Sequence, residues 1–100
     1  MADEKTQPPP QLQLQISLDD SVANGVYANM AMVNHNETEF ILDFIFAQPQ
    51  VAKAAVRSRV ITSPKHMKRL LAALQDNLAR YEAQFGKVET SGPSLNLPMH

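Results

Sequence analysis

Ser63 and His66 are the residues whose types and spacing could do nucleophilic chemistry, because cysteine is absent from the chain. A hydroxyl nucleophile needs an adjacent base. However, Ser63 is placed to cap a helix, and His66 lies one turn further along on a polar face. The chain also has no glycine-rich phosphate loop and no His-x-x-x-His or Glu-x-x-His metal spacing. We therefore expect a protein that is not an enzyme and uses no metal or cofactor.

Asp43 is a carboxylate between Ile41 and Ile45 in the most apolar part of the sequence. A buried carboxylate with a raised pKa could act as an acid or a switch. The favoured interpretation is an ion pair with Arg57 or Arg59, because a buried charge must be paired. A subunit junction is a further possibility.

Asn29 poses a similar choice. We expect a buried amide that hydrogen-bonds across strands rather than a ligand contact.

A basic segment is the best indication of a ligand. Residues 53–69 contain no acid, and Arg57 and Arg59 are spaced to share one face of a strand. Doubled by a dimer axis, such a segment could follow a phosphate backbone. Against this, the net charge is −1, and Tyr27 is the one aromatic candidate for stacking. The residues of this alternative nucleic-acid site are Lys53, Arg57, Arg59, Lys65, Lys68 and Arg69.

The elements that must position these residues are an antiparallel sheet of about four strands and one long C-terminal helix, an α+β fold. Alternating apolar residues predict strands over 12–18, 26–33, 38–46 and 54–62, with a hairpin loop at 34–37. The helix is predicted over 64–85. Ser63 serves as its N-cap, Pro64 as its first residue and Gly86 as a left-handed C-terminal cap.

Both faces of the central strands are mostly apolar, and one helix can cover only one of them. A monomer would therefore expose a large apolar patch, which usually marks an interface. The helix carries a heptad-like seam. It packs either on its own sheet or on the same helix of a second subunit. The predicted dimer or higher oligomer would use Leu71, Leu74, Leu78, Tyr81 and Phe85.

Length and composition predict one domain over residues 12–86, with disordered tails at 1–11 and 87–100. The first twenty residues contain no apolar run of a signal peptide, and no stretch is long enough to span a membrane. The cytoplasm is the expected location.

The combined pattern resembles a prokaryotic family known only as domain of unknown function 3467. The resemblance covers about residues 12–88 and is most specific at the strand-to-helix junction Arg-Val-Ile-Thr-Ser-Pro, residues 59–64. It implies a small stand-alone cytoplasmic protein and no assigned activity. We therefore expect a homo-oligomeric interaction or regulatory module whose protein partner is unknown, with a nucleic-acid-binding dimer as the alternative.

Overall fold

The computed structural model describes residues 13–90 as a three-stranded antiparallel sheet followed by a long helix. The strand order is β1-β2-β3, so each strand pairs with its neighbour in the chain. This confirms the α+β class and the position of the helix after the sheet. The elements in chain order are α1 (Asp20–Ala23), β1 (Met30–His35), β2 (Phe40–Gln48), a 3-10 turn (Pro49–Val51), β3 (Lys53–Thr62) and α2 (Pro64–Phe85).

The first predicted strand is wrong for the single chain. Residues 13–18 contain no strand, and Leu14, Ile16 and Leu18 are 83%, 90% and 70% exposed. Their alternation is typical of a strand, but a strand also needs a hydrogen-bonding neighbour. None of the three described strands takes that role. Leu12 and the predicted tail at 1–11 lie outside the described residues, as do residues 91–100.

The β1–β2 hairpin lies two residues later than predicted, with its loop at 36–39. The turn is closed by Asn36, whose Oδ1 accepts hydrogen bonds from the backbone N–H groups of Thr38 and Glu39, both at 2.9 Å. Asparagine commonly bonds to backbone groups two or three residues ahead in this way. A shift of two residues keeps each side chain on its predicted face.

The β2–β3 connection is the turn that Pro49 begins. Ala52 ends it in the left-handed conformation, with φ 53° and ψ 39°. The two strands then pair in register until a shift between Phe44 and Ile45. There Ser58 lies opposite Phe44 and Val56 opposite Ile45, so Arg57 has no Cα partner and forms a bulge.

The predicted helix ends are confirmed. The hydroxyl oxygen of Ser63 accepts a hydrogen bond from the backbone N–H of His66, and Pro64 is the first helical residue. Gly86 follows the last helical residue as predicted and has a positive φ of 99°, but the predicted left-handed conformation is wrong, because its ψ of 163° lies outside the left-handed helical region. Beyond it, the backbone N–H of Val88 donates to a carboxylate oxygen of Glu82. This bond connects the first residues of the predicted C-terminal tail to the helix.

The side chains of the sheet divide between two faces, because directly paired residues lie on the same side. The Asp43 face carries Met30, Met32, Ile41, Asp43, Ile45, Arg59 and Ile61, and the Phe face carries Ala31, Val33, Phe40, Leu42, Phe44 and Val60.

Burial is confined to β2. Leu42, Asp43 and Ile45 are the buried residues of the described chain, at 6%, 2% and 5% exposure. The extensive packing contacts within residues 13–90 join β1 to β2 and β2 to β3. The helix α2 takes no part in them and contains no buried residue. Within the described residues, no helix thus packs extensively on either face of the sheet, and β3 is its most exposed strand.

Candidate interaction interface

The predicted seam of α2 forms a continuous apolar stripe open to solvent. Leu71, Leu74 and Leu78 are each slightly more than half exposed, and Phe85 is 66% exposed. Residues three and four apart on a helix lie on one face, so the spacing of these residues joins them into a single ridge. The rings of Tyr81 and Phe85 stack on each other with centroids 5.0 Å apart. The seam residues therefore all remain at least half exposed in the subunit.

The side of α2 opposite the seam is polar. Arg80 donates a 2.7 Å hydrogen bond to Asp76 one turn earlier, and both side chains are about two-thirds exposed. An exposed pair of this kind contributes little to stability, about 0.3–0.5 kcal/mol. The contrast between the two sides makes α2 amphipathic along its full length. An amphipathic helix of a folded protein packs its apolar side against another element.

The third strand exposes a second apolar area that sequence reasoning did not single out. Val56 and Ile61 are 51% and 54% exposed, and Val60 is 44% exposed on the opposite face. The apolar character of the strand is visible in the sequence, but its lack of cover depends on where α2 lies.

Asp43 forms an ion pair with Arg59, which resolves the choice between Arg57 and Arg59. The guanidinium donates from Nε to Oδ1 at 2.7 Å and from Nη2 to Oδ2 at 2.9 Å. The carboxylate side chain is 3% exposed and the arginine 60% exposed. The hydrogen bond from Arg59 lowers the pKa of Asp43 below its ordinary value of 3.8, although burial acts in the opposite direction. A buried carboxylate held ionised in this way is structural rather than an acid catalyst.

This pair predicts a specific dependence of stability on pH. The native pKa of Asp43 is lower than the unfolded value, so its stabilising effect is complete above pH 3.8. It is lost as the pH falls below that value and through the lowered native pKa. We expect the urea midpoint to decrease on acidification from about pH 6 to pH 3, in part through this residue.

Arg59→Met should turn Asp43 from a residue that stabilises the folded state at neutral pH into one that destabilises it. The buried carboxylate then has no cation beside it, and protonation relieves the cost of burying its charge. Stability at neutral pH decreases, and the loss relative to the wild type becomes smaller toward acid pH. Arg57→Met is the matched control, because Arg57 lies at the bulge and makes no ion pair with Asp43. A control with the same altered pH profile as Arg59→Met would contradict the assignment.

The six basic residues of the predicted nucleic-acid site do not form one continuous surface. Arg59 is neutralised by Asp43. Arg57 lies at the bulge, where the strict alternation that placed it on the same face as Arg59 is interrupted. The other four are exposed and lie at two places, one at the start of β3 and the others in the first two turns of α2: Lys53, Lys65, Lys68 and Arg69.

Asn29 bonds across the strands, as predicted, but it is exposed rather than buried. Its Nδ2 donates to the carbonyl of Ala47 at 3.1 Å, and its Oδ1 accepts from the N–H of Ala47 at 2.8 Å. The side chain thus takes the place of a backbone partner just before β1 begins. Both polar atoms of the Asn29 amide thus form hydrogen bonds to the backbone of Ala47.

Ser63 is engaged as the helix cap, and its hydroxyl contacts the backbone of His66. Within residues 13–90, no three His, Asp or Glu side chains are grouped in a way that could hold a metal ion. No helix in the same range combines the length and the apolar character needed to cross a membrane.

Comparison with known proteins gives one match. The model of the family described as protein of unknown function DUF3467 matches residues 1–90. Neither the curated proteins nor the solved structures contain a match to the chain. The family match covers most of the sequence and includes the sheet, the strand-to-helix junction and the whole of α2. The chain therefore belongs to the DUF3467 family.

Proposed function

We propose that the protein is a non-enzymatic, homo-oligomeric interaction module in which the α2 seam of one copy packs against the α2 seam of another. The observation that carries this proposal is the apolar stripe of a 22-residue helix that makes no extensive contact with a strand of its own subunit. Its five residues are Leu71, Leu74, Leu78, Tyr81 and Phe85, each more than half exposed.

Energetics support self-association. Complete burial of a large apolar side chain stabilises a complex by about 1.5–3 kcal/mol. A two-fold axis would bring five such residues from each copy into one isologous contact. Because each residue is already about half buried, association gains about half of this value per side chain, or about 7–15 kcal/mol over the ten side chains. This gain is of the same size as the cost of association, about 4–15 kcal/mol, so the stripe can supply most of the energy that a dimer needs.

The regulatory or docking role is the remaining part of the proposal. Pairing of the two helices would leave the apolar side chains of the sheet available to a different protein. The basic residues support a nucleic-acid role less well. Arg59 is paired, and the exposed bases are divided between the start of β3 and the start of α2.

Sedimentation equilibrium tests the oligomer directly. At micromolar concentration we expect a mass of at least twice the 11.1 kDa of the chain. Dilution should shift the distribution toward the monomer, because the subunits are held by a bimolecular contact. A single 11.1 kDa species at all concentrations would contradict the proposal.

A salt series with labelled single- and double-stranded oligonucleotides tests the alternative. Specific phosphate contacts would give an affinity that decreases steeply with salt, and the slope would become smaller on removal of Arg57 and Lys65. We expect no such change.

A further inference from the structure

We infer that residues 13–18 of one copy add as a fourth strand along the free edge of β3 in a second copy. The inference rests on the proposed self-association and names a second contact between the same two chains. It starts from a segment with the pattern of a strand but with no partner in its own subunit. Leu14, Ile16 and Leu18 alternate with Gln13, Gln15 and Ser17, and all six are exposed.

An alternating segment of this kind is stable only beside another strand. Its apolar residues lie on one side, so it must bury that side while its backbone groups pair with a neighbour. Addition of an extended segment to an open sheet edge meets both needs. The described sheet has two such edges, β1 and β3, since β2 lies between them.

The third strand is the better acceptor for three reasons, of which the first is length. It spans Lys53–Thr62, ten residues, whereas β1 spans six. The second reason is exposure. The residues of β3 are nearly all exposed, whereas four of the six in β1 are partly covered. An added strand would thus cover more apolar surface at β3, where Val56 and Ile61 are both exposed on the Asp43 face.

The third reason is the path of the chain. The stretch that follows residues 13–18 forms α1 and turns at Gly25, which has a φ of 71°. Its residues Ser21, Val22 and Val26 line one shallow depression together with Arg57 and Ser58 of β3. The segment therefore leaves the subunit on the β3 side of the sheet.

Exchange between two copies would be reciprocal. Each copy would donate one strand and accept one, so a two-fold axis closes the assembly without leaving an acceptor edge open. This arrangement would also protect the β3 edges from uncontrolled pairing with further chains.

Paired substitutions in the full-length chain test the strand character of the segment. Ile16→Asp should weaken the dimer at least about tenfold in sedimentation equilibrium, because the change is present twice in each dimer. The neighbouring Gln15→Asp introduces the same charge on the opposite side of the strand, and its effect should be less than about threefold. Equal effects of the two changes would overturn the inference.

Crosslinking identifies the acceptor edge. The chain has no cysteine, so a mass-tagged Gln15→Cys chain can be mixed with an untagged chain carrying one other cysteine. With a short thiol crosslinker, Ala55→Cys on β3 should form the mixed product. Ala31→Cys on β1 is the matched control, since both alanines are exposed and lie on the Phe face. Preference for Ala31→Cys, or no mixed product, would overturn the inference.

The experiments distinguish the strand exchange from the α2 helix contact. A dimer that is unaffected by Ile16→Asp and gives no crosslink to Ala55→Cys would overturn strand exchange and leave the helix contact standing. A dimer that is weakened by Ile16→Asp but unaffected by a charged substitution in the α2 seam would overturn the helix contact and leave strand exchange standing. A chain that is monomeric throughout overturns both.

Discussion

Leu78→Asp should convert the oligomer into monomers. Leu78 lies in the middle of the α2 seam and is 52% exposed in the subunit. Because Leu78 is already about half buried, association removes only about half of its side chain from water, which is worth about 0.8–1.5 kcal/mol per copy. A symmetric dimer contains this contact twice, so the loss of about 1.5–3 kcal/mol corresponds to an increase of roughly ten- to a hundredfold in the dimer Kd, and the cost of burying the aspartate charge adds to it.

Ala72→Asp is the matched control for this prediction. Ala72 is exposed on the side of α2 away from the seam. Both changes place an aspartate four residues before an existing acid, Asp76 for Ala72 and Glu82 for Leu78, so their cost within the helix is similar. Sedimentation equilibrium, with circular dichroism to follow helix content, compares them. If Leu78→Asp neither dissociates nor unfolds the protein, the seam lies exposed in the assembly and the helix contact is wrong.

Leu42→Ala should strongly destabilise the subunit. Leu42 is the buried leucine of the Phe face, with Val33 and Val60 as its paired neighbours on either side. Removing a buried leucine side chain costs about 2–5 kcal/mol, through lost transfer free energy and the cavity that remains. A domain of this size has a stability near the lower end of about 5–15 kcal/mol. The variant should therefore be partly unfolded at moderate temperature.

Urea unfolding measures this effect, at one protein concentration because association contributes to stability. Val51→Ala is the control, since Val51 is 55% exposed in the 3-10 turn. Its free energy of unfolding should lie within about 0.5 kcal/mol of the wild type. A loss below about 1 kcal/mol for Leu42→Ala would contradict its assignment to the core.

Local patterns were sufficient for the helix and for three strands. Helix α2 begins and ends at the predicted residues because Ser63, Pro64 and Gly86 act on backbone groups within one turn of themselves. The three strands are found because alternation and turn residues are also local properties. The hairpin is displaced by two residues because Asn36, rather than Asn34, closes the turn.

The partner of Asp43 required the sheet register. The sequence allowed Arg57 or Arg59, because residues two apart share a face of a regular strand. The bulge at Arg57 interrupts that regularity, and only Arg59 lies directly opposite Asp43. A bulge depends on how two distant strands pair, so a single strand's sequence does not reveal it.

The interface residues on α2 were likewise predictable as an apolar stripe, but their surroundings were not. The same stripe would arise whether the helix packed on its own sheet or on another copy, because periodicity records which side is apolar and not what lies against it. The tertiary structure decides that α2 does not pack along its own sheet.

The amino-acid sequence alone thus determined the helix with its ends, the existence of three strands and the apolar side of each, because these follow from interactions over a few residues. Only the tertiary structure decided that residues 13–18 have no strand beside them, that Arg59 neutralises Asp43, and that α2 makes no extensive contact with the sheet. Each of these depends on the spatial arrangement of elements distant in the chain, which short-range preferences do not specify.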